Sequence, residues 1–187
     1  MTTPSPWQRA DTTWFKNCRW GMFTHYLADG ASNLKPIDLS PDDWNRRIDA
    51  FDVDGLAAQL AAARVPYFVI TLGQNSGFYL SPNATYDTVT GITPSKCSRR
   101  DLIADLAAAL KPQGIHLLVY LPGQAPATDA IAKAKLEGED DARHTTLQRN
   151  WEAVCREWSL RWGKAVSGWW IDGPYDAPAY QHADEPN

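Results

Sequence analysis

Residues Asp52–Leu72 read DVDGLAAQLAAARVPYFVITL, and this stretch decides the fold. Leu56, Leu60 and Ala63 recur at helical spacing behind Asp52, an acceptor side chain suited to a helix start. Pro66 stops the helix. Tyr67–Leu72 (YFVITL) is then almost wholly apolar with β-branched residues at its centre. That is the composition of a strand covered on both faces, as in a parallel sheet.

The same units recur on either side. Arg19–His25 (RWGMFTH) reads as a first strand, and Ser40-Pro41-Asp42-Asp43 as a helix start with a Ser cap, Pro at the first position and acids in the first turn. Ser98 and Asp101 resemble a capping box, and Leu102, Leu106 and Leu110 carry a helix down to Pro112 and Gly114. Ile115–Leu121 (IHLLVYL) is a third strand. Leu147, Trp151, Val154, Trp158 and Trp162 form one apolar stripe on a helix from about Thr146 to Gly163. Ala165–Ile171 (AVSGWWI) is a fourth strand. The order β-α-β-α-β-α-β predicts right-handed crossovers and one parallel α/β domain over residues 1–187.

Connections from helix to strand are short (Val65-Pro66, Pro112–Gly114, Gly163-Lys164). Those from strand to helix are long (Tyr26–Leu39, Gly73–Cys97, Pro122–Thr145). Every long loop therefore leaves the C-terminal end of a strand, the face where parallel α/β folds bind ligands. Loops beyond about 12–15 residues in a compact domain are usually functional or disordered. Ala125–Arg143 is the most polar of them and is expected to be partly mobile. The strand ends bring together His25-Tyr26, Gln74-Asn75-Ser76, Tyr120 and Asp172 with Tyr175. Amides and hydroxyls beside aromatic surfaces such as Trp170 suit a polyhydroxylated ligand. A single carboxylate there can act as a nucleophile or stabilise an oxocarbenium-like transition state. Each residue also has a plainer reading: Asp172 as a turn residue before Gly-Pro, His25 as a core histidine, Gln74, Asn75 and Ser76 as turn chemistry. His116 opens a strand on the opposite face and reads as structural. The nine Trp divide between the same two uses, core filler and sugar platform.

Composition narrows the classes. The 187 residues carry 18 Lys plus Arg against 22 Asp plus Glu, a net charge of −4, without the basic stripe of a nucleic-acid binder. No apolar run approaches the roughly 18 residues of a membrane helix. Met1–Arg9 has no signal-peptide pattern, so a cytoplasmic location is expected. Cys18, Cys97 and Cys155 are odd in number and widely spaced, which reads as free thiols. Asn83-Ala84-Thr85 matches a glycosylation sequon, of little meaning without a signal peptide. No metal-ligand spacing, P-loop or GxGxxG is present, so no cofactor and no metal is expected.

Trp14-Phe15-Lys16 followed by Trp20–His25 resembles the "WFkdakfGiFiHWG" opening of the glycoside hydrolase family that contains α-L-fucosidases. Phe51–Phe78 is similar to its "FdadeWaklAKkAGAKYvvLTaKHHDGF" segment, Arg100-Asp101-Leu102 to "RDlv", Ile115–Tyr120 to "GlkfGlYys", and Trp169–Gly173 to "lWfDG". The resemblance implies a (β/α)8-type barrel and a retaining glycosidase, with Asp172 as nucleophile and His25 at the sugar; the strand-end reading adds Tyr26, Gln74, Asn75, Tyr120, Trp170 and Tyr175 around a fucose-like sugar. Two departures stand out: the histidine pair of "KHHDGF" is replaced by Gln74-Asn75, and the Trp after the first His by Tyr26. A whole barrel takes about 250 residues. The chain therefore reads as the first four βα units, a half barrel whose first and fourth strands have unpaired edges. The partners implied are a carbohydrate and, to complete the barrel, a second half or a second copy. The alternative is an inactive glycan-binding or assembly fragment.

Overall fold

A computed structural model describes residues 10–28, 37–139 and 143–173. After a short helix α1 (Thr13–Asn17) come strand β1 (Met22–Thr24), helices α2 (Pro41–Asp49) and α3 (Val53–Ala62), and strand β2 (Tyr67–Thr71). Helices α4 (Ala84–Thr90) and α5 (Leu102–Leu110) lead to β3 (His116–Pro122). Helices α6 (Ala130–Glu137) and α7 (Thr145–Trp162) lead to β4 (Gly168–Asp172). The four strands form one sheet in chain order, every neighbouring pair parallel. That is the α/β arrangement expected from consecutive crossovers.

Alternation along the strands gives the sheet two faces. Phe68, Ile70, Leu72, Leu117, Val119 and Leu121 join the main core with the buried sides of α2, α3, α5 and α7. Val69, Leu118 and Tyr120 form a smaller cluster on the other face, with Trp14 and Tyr67 packed on it. At the N-terminal end of that face α1 lays Trp14 flat on His116, ring centroids 3.9 Å apart, and Phe15 against Tyr67. His116 also meets Ser167 Oγ through Nδ1 at 3.1 Å, the structural role expected of it.

Several starts follow directly from the sequence. Ser40 accepts from Asp43 N (3.0 Å) with Pro41 at the first helical position, and Asp52 accepts from Gly55 N (2.8 Å). The capping box at Ser98 is not formed. Asp101 caps α5 through Ala104 N, while Ser98 Oγ donates to the Arg100 carbonyl. The long connections after β2 and β3 contain two helices, α4 and α6, where loops are expected. Asn83 caps α4 through Tyr86 N and donates from Nδ2 to Val154 O (3.0 Å). It is 1% exposed, so the sequon is a buried cap in the folded chain. Asp129 caps α6 through Ala132 N and pairs with Lys96 Nζ at 2.7 Å. The polar stretch expected to be partly mobile thus holds a capped helix with Ala132 and Leu136 buried.

The cysteines are free. Burial pushes the Cys155 thiol up to about 12 and Cys97 above the usual thiol range, so neither is poised as a nucleophile. Among the described residues no helix is long and apolar enough to cross a membrane.

Glu157 on α7 accepts from Ala84 N (3.0 Å) and Thr85 N (2.7 Å), the unpaired donors at the start of α4. Burial would raise its carboxyl. The hydrogen bonds from Thr85 and Ala84, with the Arg161 guanidinium, outweigh that and hold it below its ordinary value. A lowered folded-state value gives stability that is present above the unfolded value and lost as the pH falls through the folded one. Glu157→Gln should lower the unfolding free energy by about 1 kcal/mol at pH 7. In urea titrations across pH, the gap to wild type should close below about pH 4.

Candidate functional site

The two-residue alternation selects what faces the inner side. Phe23 is opposite Val69, Val69 opposite Leu118 and Leu118 opposite Gly168, which makes one layer. One step toward the strand C-termini, His25 follows Thr24, whose partner is Ile70. Thr71, Tyr120 and Trp170 continue that second layer. Asp172 ends β4 a further step up. Gly168 has no side chain, and Phe23 reaches across to Trp170 with ring centroids 5.3 Å apart. Three strand spacings would separate β1 and β4 by about 14 Å in a flat sheet. The contact between their rings marks a sheet curled around its inner face.

At the C-terminal end of this concave face the polar groups are joined. Tyr120 Oη donates to Asp172 Oδ2 at 2.6 Å, and Gln74 Nε2 donates to Tyr120 Oη at 3.3 Å. His25 Nδ1 lies 2.5 Å from Thr71 Oγ1, with its ring edge-on to Tyr120 at 5.3 Å. The Asp172 side chain therefore meets a phenol 52 residues away in the chain. Its backbone carbonyl accepts from Gly123 N at 2.6 Å, which ties the end of β4 to the loop after β3. Trp170 is 49% exposed on the same face.

Of the residues expected at the site, His25, Gln74, Tyr120, Trp170 and Asp172 come together. Asn75 stands beside them but anchors the loops: its carbonyl accepts from Thr128 N and Oγ1, both at 2.9 Å. Tyr26 departs from the expectation. As the neighbour of His25 it turns to the helix side, where its ring meets Phe51 and Trp44 and its hydroxyl donates to the Arg47 carbonyl at 3.4 Å. Tyr175 lies outside the described residues. Thr71 and Phe23 belong to the cluster and were not picked out by reading strand ends. Their parity with His25 and Tyr120 is the signal that finds them.

An apolar hollow of about 380 Å³ between α1 and β4 is walled by Trp14, Phe15, Leu118, Trp169, Trp170 and Ile171. Thr12 and Ser167 give it little polar chemistry to orient a sugar. Among the described residues no three His, Cys, Asp or Glu side chains stand together to hold a metal.

No protein-family profile and no curated protein matches the chain. Solved structures do. A GH29 α-L-fucosidase from Bacteroides thetaiotaomicron, trapped as a covalent intermediate with 2-fluoro-fucosyl fluoride, superposes with a TM-score of 0.58 at 20% identity. The match covers 91% of this chain and 43% of that one. An unliganded α-L-fucosidase from Lactobacillus casei gives 0.57 at 14% identity, over 90% and 64%. One from Thermotoga maritima in complex with fucose gives 0.51 at 16%, over 86% and 46%. The shared property is the fold. The chain spans less than two thirds of the length of each of these proteins.

Gly73 opens the loop that carries Gln74. A Cβ there would lie 2.2 Å from Tyr79 Cδ1 and 2.7 Å from the Phe78 carbonyl oxygen, and Tyr79 is 1% exposed with no room to withdraw. Gly73→Ala should cost about 1–3 kcal/mol, the range for overpacking a filled core. Denaturant unfolding measures it.

Proposed function

We propose that the chain is the first four βα units of a fucosidase-like (β/α)8-type glycoside hydrolase, with Asp172 as the nucleophile of a retaining reaction on a fucose-like sugar. Fold likeness alone does not carry a function. The reading rests on one observation, the Asp172 carboxylate held at a strand C-terminus by Tyr120 on a face shared with His25, Gln74 and Trp170. In the proposed step an Asp172 carboxylate oxygen bonds to the anomeric carbon as the bond to the leaving oxygen breaks. The leaving oxygen takes a proton from an acid. Water then attacks the glycosyl ester, gives its proton to the conjugate base and frees the carboxylate. His25, with Nδ1 engaged by Thr71, offers Nε2 to a sugar hydroxyl, and Trp170 offers a flat apolar surface. Asn75 borders the sugar from the β2 loop.

The acid is the part these strand ends do not supply. A retaining enzyme needs a second carboxyl about 5–5.5 Å from the first, and the described strand ends contribute Asp172 alone. That observation favours a second reading for the chain by itself, sugar binding without turnover. A 2-fluoro-fucosyl fluoride separates the two, because fluoride leaves as an anion without a proton donor. The expected result is one adduct per chain, mapped by peptide mass to Asp172 and absent from Asp172→Asn. Fucose bound with no adduct would establish binding without a nucleophile, and an adduct on another residue would overturn the assignment.

A further inference from the structure

We infer that Gln74 is a positioning residue that determines which oxygen of Asp172 is free to attack. The inference rests on the reading of Asp172 as nucleophile and adds to it a chain of command through Tyr120.

The logic is one of protons. The phenol of Tyr120 has a single proton, and an amide N–H can only donate. Gln74 Nε2 approaches Tyr120 Oη at 3.3 Å, so it occupies a phenol lone pair and turns the phenol proton away from the Gln74 side. The carboxylate at 2.6 Å on Oδ2 is the acceptor that receives it. Short O–H···O⁻ bonds of this length are charge-assisted and directional. Oδ2 is thereby engaged and Oδ1 is the oxygen left to bond to carbon. The same contact orients the amide. A flipped Gln74 would set a carbonyl oxygen against a phenol whose proton is already given to Asp172, leaving two acceptors face to face. Gln74 reaches the reacting atoms only through Tyr120. Its chemistry is also neutral at every pH, so the order of donation does not change with protonation as it would for an imidazole at this position.

The experiment is the saturation kinetics of 2-fluoro-fucosyl fluoride labelling, followed by intact mass, on wild type, Gln74→Met, Tyr120→Phe and the double variant. Met keeps the length of Gln and removes the donor. Gln74→Met should lower the maximal labelling rate about tenfold and leave the half-saturating concentration within about twofold. Tyr120→Phe should lower the maximal rate at least as much. The double variant should be no slower than Tyr120→Phe, since Gln74 acts through the phenol. A Gln74→Met variant that labels at the wild-type maximal rate, or losses that multiply in the double variant, would overturn the inference and leave Asp172 as nucleophile intact. Failure of wild type to label at all would count against the nucleophile reading instead. A crystal structure of Gln74→Met tests the inference without the reagent. It should show the Tyr120 hydroxyl or the Asp172 carboxylate rotated out of their 2.6 Å contact, and an unchanged contact would overturn the proposal.

Discussion

Buried indole N–H groups tie the loops at the C-terminal ends of the strands to the core. Trp44 on α2 donates to the Tyr79 carbonyl at 3.0 Å, and Trp158 on α7 to the Pro82 carbonyl at 3.0 Å. Trp151, also on α7, donates to the Pro122 carbonyl at 2.9 Å. All three rings are buried. A buried carbonyl left without a donor costs about 1–3 kcal/mol, and each ring adds a large apolar contact. The segment that follows Gln74 and the end of β3 are therefore built into the packing of α2 and α7. Asn83 and Glu157 fasten α4 to α7, and Asn150 Nδ2 holds the end of α6 through Leu136 O at 3.0 Å. Helix α7 is the post to which the loops after β2 and β3 are moored.

The division of labour between the two sheet faces follows from the same arrangement. The outer face of β2 and β3 is apolar and pays for order through burial of about 1.5–3 kcal/mol per large side chain. The inner face is apolar at the level of Val69 and Leu118 and becomes polar one layer up, at His25, Thr71 and Tyr120. Apolar residues beneath a polar rim let a small number of donors and acceptors be set without competing water below them. The curl that brings Phe23 against Trp170 narrows this face and converges side chains from strands at opposite edges of the sheet.

The strands and the long helices were legible in the sequence because their burial writes a period into the residues. The apolar run Tyr67–Leu72 and the stripe on α7 could hardly be read otherwise. Helices α4 and α6 were not, being short and having few buried residues to repeat. Their signals are the caps Asn83 with Gly91 and Asp129 with Gly138, and the first of these was hidden under a sequon pattern. That His25, Gln74, Tyr120 and Asp172 gather at one end of the sheet is legible from topology. A strand end has two faces: Tyr26 falls on the helix side of His25, while Thr71 and Phe23 share its side. The nine Trp could not be divided between core and platform from composition, since an indole with a bonded N–H serves either.

The openness of the concave end explains why pinning the carboxylate matters on the proposed reading. His25 and Trp170 are exposed, and Asp172 ends an edge strand. The terminal torsion of an aspartate is broad, so a carboxylate in such a place would turn freely and keep its water. A phenol donor withdraws some charge from the oxygen it binds, which lowers the reactivity of that oxygen. It also removes one rotational freedom and leaves the second oxygen in a fixed place. Orientation of reacting groups is worth several kcal/mol of barrier, more than a single neutral hydrogen bond of about 1 kcal/mol contributes to stability. The balance favours a fixed nucleophile over a more basic mobile one. On that reading the Gln74–Tyr120–Asp172 chain is what this sequence offers to achieve it.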